Sequence, residues 1–228
     1  MGTNFSNLSS KSGGSGSILD DPSLSGGSLK SQFDDTSTLR TNMHDLFNMY
    51  LFQLRELMLG IAYGAPATDT SQAQLSVSKL LEDIGKVFAR YYGAPVGTAV
   101  TAHLKTGARH AHTYFAISRK LLLERDPKYT RDSLNEEGRR YQTSFVEIAQ
   151  VLAQANGPEI SNKDAMVTQF NQLAELVQNQ AKAVMEGFND TSLANFKSAV
   201  NHARGMADLL TLSITMYVNK SKAGAGGQ

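Results

Sequence analysis

From Thr36 onward, apolar residues recur three and four positions apart in one run after another, and that spacing admits an amphipathic helix rather than a strand. The first run carries Leu39, Met43, Leu46, Phe47, Tyr50, Leu54, Leu57, Met58 and Ile61, which share one face at 3.6 residues per turn. Gly64 and Pro66 stop it. Thr68, Asp69 and Thr70 offer N-caps for a second helix with an inner face of Leu75, Val77, Leu80, Leu81, Ile84, Val87, Phe88 and Tyr91, closed by Gly93. Pro95 suits the first turn of a third helix, which the spacing carries to about Glu124, before Asp126 and Pro127. A fourth, with Leu134, Tyr141, Phe145, Ile148 and Leu152, stops at Asn156, Gly157 and Pro158. Ser161 caps a fifth with Met166, Phe170, Leu173 and Val177. Asp190, Thr191 and Ser192 open a sixth, whose apolar residues include Leu193, Phe196, Met206, Leu210, Leu212 and Ile214. No stretch alternates with a period of two, so the expected fold is all-α: an antiparallel helical bundle of four long helices plus shorter ones.

Residues 1–35 are different in kind. They hold six glycines and ten serines, and their apolar residues come singly or in pairs without a helical or strand period. Such a segment cannot bury enough surface to fold alone. The chain therefore divides into a Gly/Ser-rich extended arm over residues 1–35, a helical bundle domain over 36–219, and a flexible Gly/Ala-rich tail over 220–228.

The chemistry that the residue types allow is narrow. Lys+Arg 22 against Asp+Glu 21 leaves a net charge of +1, which gives no general attraction to nucleic acid. The absence of cysteine removes thiolate nucleophiles and thiolate metal sites together, and no apolar run approaches the length of a transmembrane segment. His103, His110 and His112 form the one histidine cluster, but a helical metal pair needs a spacing of three or four and no acidic neighbour completes a set. Glu136 with Glu137 and Glu82 with Asp83 are adjacent, so their side chains diverge by about 100° and cannot clasp one bond or ion. Arg119, Lys120, Arg125, Lys128 and Arg131 follow the third helix, where positive charge favours the helix dipole. No catalytic residue, cofactor site or metal site is assigned. Met1, Gly2 and Ser6 meet the short N-myristoylation pattern, which is too brief to be specific.

The residues Leu80, Asp83, Ile84 and Gly85, then Tyr91, Tyr92, Gly93 and Gly97, followed far downstream by His202, Met206, Ala207, Asp208 and Leu210, resemble a small uncharacterised helical-bundle family of bacteria and plants. The likeness spans residues 46–218. It implies a fold more than an activity. Members of that family carry histidines on several helices; the matching positions here are Tyr50, Gly107, Gln172 and His202, so only one histidine remains.

A thirty-five-residue arm reaches on the order of 100 Å when extended. Its spaced apolar residues Phe5, Leu8, Ile18, Leu19, Leu24, Leu29 and Phe33 suit many separate contacts on neighbouring subunits. The expected function is therefore non-enzymatic and structural, as a component of a large assembly with other protein subunits as partners. Large DNA viruses place small helical proteins of this style in their shells, and the expectation is a minor capsid or cement protein located in the virion. The alternatives are a free cytosolic binding module with a disordered arm, and a bundle holding a metal or small ligand around His202, Tyr50 and Gln172.

Overall fold

The structure, a computed structural model, describes residues 36–158, 160 and 163–225. The arm with its seven apolar anchors, the Gly2 pattern, the Ser161 cap and the last three residues lie outside the described residues. Six α-helices follow in order: α1 Thr36–Tyr63, α2 Ala67–Tyr92, α3 Ala94–Ser118, α4 Arg131–Asn156, α5 Lys163–Met185 and α6 Asn189–Ala225. Their lengths run from 23 to 37 residues. α6 continues well past residue 219, and residues 220–225 are helical rather than a loose tail.

Each reversal has a local cause. α1 ends where Gly64 takes a φ of 72° and Ala65 N donates to Gly60 O at 2.8 Å, the backbone closure that glycine permits at a helix C-terminus. α2 starts behind Pro66, which has no capping side chain, so the expected caps Thr68, Asp69 and Thr70 fall inside its first turn instead. Gly93 joins α2 to α3 alone, at φ 90° and ψ 161°, a region that L side chains scarcely enter. α3 does not stay α-helical to Glu124. It changes to a π-helical turn over Arg119–Leu123, and Arg119 there donates to Ile61 O at 3.0 Å. That bond satisfies a carbonyl in the last turn of α1, so this arginine caps a different helix from the one that carries it. A capping box between Thr130 and Ser133 starts α4.

The helices form a ring in which each packs on its chain neighbours and α6 packs back on α1. Side-chain pairs fix the antiparallel register: Glu82 with Lys105 across α2 and α3, His110 with Glu137 and His103 with Glu147 across α3 and α4, and Arg40 with Asp208 across α1 and α6. α1, α3 and α5 also touch one another across the centre. There Phe47, Tyr50, Tyr114, Phe115, Tyr141, Phe145 and Phe170 are almost wholly buried, with Phe145 stacked on Phe170 at 5.2 Å. Each such side chain contributes roughly 1.5–3 kcal/mol by leaving water.

The tightest approach is between α2 and α3. A Cβ at Gly85 would strike the Thr101 hydroxyl, and one at Gly97 would come within 2.7 Å of Ala89 Cα. Gly85 and Ala89 on one helix thus face Gly97 and Thr101 on the other, with Thr101 Oγ1 donating to Gly97 O at 2.8 Å. Tyr92 packs against Phe88 and Tyr217 and donates its hydroxyl proton to Asn156 Oδ1 at 2.8 Å. The glycines and tyrosines of the Asp83 to Gly97 motif are therefore joints between helices.

Candidate functional site

Tyr50, Gly107, Gln172 and His202, the positions that the resemblance would match to histidines, do not converge. Tyr50 and Tyr141 meet at the bundle centre with their hydroxyls 3.3 Å apart, and Gly107 lies beside them, since a Cβ there would rest 3.6 Å from Tyr141 Cδ2. Gln172 is exposed on α5. His202 is half-buried, with Nε2 2.7 Å from Gln169 O. Burial pushes the Tyr50 hydroxyl up to about 12 and holds Tyr141 well above the ordinary tyrosine value. Because the unfolded chain ionises near pH 10 and the folded one only higher, the stability these phenols supply is complete below pH 10 and declines above it, that of Tyr50 being lost as the pH rises through about 12. Denaturant titrations are expected to show a flat unfolding free energy below about pH 10 and a fall of up to ~1.4 kcal/mol per pH unit for each buried phenol above it. A flat profile through that range would mean the phenols are solvated.

His44, His103 and His110 are each engaged singly by a carboxylate. His103 Nδ1 lies 2.8 Å from Glu147, His110 Nδ1 2.8 Å from Glu137, and His44 Nε2 2.6 Å from Asp208. Among the described residues no three His, Asp or Glu side chains are grouped to hold a metal ion. Glu136 and Glu137 point to Arg139 and Arg140, and Glu82 points to Lys105. In the basic stretch, Lys120 and Arg119, at the C-terminal end of the third helix, both pair with Glu124.

Large apolar side chains are exposed along α1 and α6, as they are also at Leu75, Leu123 and Phe188. At the seam between these helices, Arg40 bonds Asp208 through two nitrogens at 2.6 and 2.8 Å. The guanidinium and His44 together hold the Asp208 carboxyl below its usual range. Further along, Phe52 stands edge-on to Phe196 at 5.0 Å, and the Arg55 guanidinium sits 4.8 Å above the Phe196 ring. Around this aromatic pair Met49, Phe52 and Leu193 are exposed, Phe52 at 54%. On the outward side of α6, Leu212 and Met216 are also exposed, one turn apart, at 51% and 40%. The arm enters the bundle close by: Thr36 lines a shallow cleft with Leu39, Tyr91, Ile214, Thr215 and Val218.

Leu75, which its spacing places on the inner face of the second helix, is exposed, and so are Leu193 and Leu212 among the apolar residues of the sixth. Position 212 gives the reason. Leu210 and Ile214, four apart, are buried, and a residue midway between them points to the opposite side of the helix. α6 holds more apolar residues than one face accommodates, which is the signal of a second apolar surface. No family model, curated protein or solved structure matches this chain. No described helix is long and apolar enough to cross a membrane.

Proposed function

We propose that the protein is a non-enzymatic interaction protein that builds into a larger protein assembly, with its arm laced over neighbouring subunits. The observation that carries this reading is the outward apolar surface of α6 and α1, with Leu212 and Met216 on one side and Met49, Phe52 and Leu193 on the other. Large apolar side chains grouped at a surface favour removal from water by a partner. Leu212 and Met216 lie near the point where thirty-five residues of Ser/Gly-rich chain, with apolar residues spaced for separate contacts, leave the bundle, and Met49, Phe52 and Leu193 lie several turns further along the α1–α6 seam. A minor capsid or cement protein of a large DNA virus is the form of assembly component that such an arm fits, and the virion is then its location.

Sedimentation of the full chain, alone and mixed with candidate shell proteins, tests the proposal. The double variant Leu212→Glu and Met216→Glu is expected to keep its melting midpoint to within a few degrees, because surface substitutions usually cost no more than about 0.5 kcal/mol each, and to lose co-sedimentation. Unchanged co-sedimentation would remove this face of α6 from the interface.

A further inference from the structure

On the α2–α3 side of the bundle lies a groove of about 230 Å³. Its floor is apolar, made by Leu57 of α1 with Val77 and Leu81 of α2, all buried. Its rim is polar and carries positive charge. Lys105, Arg109 and His112 stand on successive turns of α3, facing Gln74 and Ser78 of α2. Lys105 is neutralised by Glu82. Arg109 is exposed and makes no ion pair among the described residues, and the His112 imidazole has no hydrogen-bond partner among them. Half-burial lowers the pKa of His112, so its ring is present in the neutral form, with one N–H to donate.

We propose that this groove binds a small organic monocarboxylate with a compact apolar body, its carboxylate held by Arg109 and His112 and its body laid on Leu57, Val77 and Leu81. The charge balance points to a single negative charge, since one cation at the rim is uncompensated while the other is paired. A guanidinium presents two parallel donors that match a carboxylate. The floor favours an apolar body, because Leu57, Val77 and Leu81 offer a hydrated group no hydrogen-bond partner in place of its water. Its size suits an aromatic ring, since the volume equals that of roughly eight waters. This site is separate from the α1–α6 surface, and its failure would leave the assembly reading untouched.

Benzoate titrated into the full chain by calorimetry is the direct test, with benzamide as the uncharged isostere and inorganic phosphate as the anion without a body. Saturable benzoate binding is expected, together with much weaker binding of both controls. Arg109→Ala, an exposed change whose fold is checked by its melt, is expected to weaken benzoate about tenfold. Ser78→Leu, which fills the rim, should remove binding while Arg109 is intact. The inference is overturned if benzoate does not saturate the protein by about 10 mM, if benzamide or phosphate binds as tightly, or if either variant binds benzoate unchanged.

Discussion

Replacing Gly97 with alanine lowers the melting midpoint, whereas the same substitution at Gly205 leaves it unchanged or raises it. Both glycines are inside helices, where alanine is preferred by about 1 kcal/mol on propensity alone. The difference is tertiary. The new Cβ at position 97 would lie 2.7 Å from both the Cα and the nitrogen of Ala89, and backbone cannot swing aside as a long side chain does. α2 and α3 must separate, and the Thr101 hydroxyl, bonded to Gly97 O, moves with them. Overpacking of this kind costs about 1–3 kcal/mol, and backbone collision puts it at the upper end. Less the propensity gain, the net cost is about 2 kcal/mol, which for a domain of this size is a fall in Tm of roughly 4–8 °C. At Gly205 nothing lies within 4 Å, so propensity acts alone. Thermal melts of the two variants followed by circular dichroism check the pair of signs, and a neutral Gly97→Ala would show that the two helices are not packed backbone to backbone.

The same joint shows what could be read from the sequence. Helix number and most of the inner faces follow from spacing, because burial in a bundle selects residues three and four apart: Met43, Phe47, Tyr50, Leu54 and Leu57 all prove buried. The role of Gly85 and Gly97 is not visible in that way. A glycine in a helical run reads as a weak point until its partner helix is known, and its partners Thr101 and Ala89 are set by the register of α2 on α3. The end of α3 is another case. The turn to a π-helix at Arg119–Leu123 leaves no mark in composition, and the Arg119 bond to Ile61 O joins residues 58 apart in sequence. In the candidate interface, the seam residues Arg40, His44 and Asp208 come together only when α6 closes on α1, whereas the excess of apolar residues in α6 was countable from the start. The groove beneath Arg109 draws on three helices and has no sequence motif.

The largest functional effect is expected from the arm. Replacing Ile18, Leu19, Leu24 and Leu29 together by serine should abolish incorporation into the assembly and leave the bundle folded, because the helical periodicity is confined to the chain beyond residue 35. Each such side chain contributes roughly 1.5–3 kcal/mol when fully buried on a neighbour. Fixing the backbone of each residue costs about 1–2 kcal/mol in the opposite direction. A net gain therefore survives only where ordering is confined to the anchors and their immediate contacts, and it accumulates over several anchors, so the quadruple variant should fail where single variants succeed.

Limited proteolysis of the full chain, free in solution and within intact particles, tests the assembly role most directly. Cleavage within residues 1–35 should be rapid in the free protein, with the helical domain surviving, and should be suppressed in the particle. An arm cut equally fast in both, or a quadruple variant that incorporates like the unaltered chain, would contradict the role assigned to it.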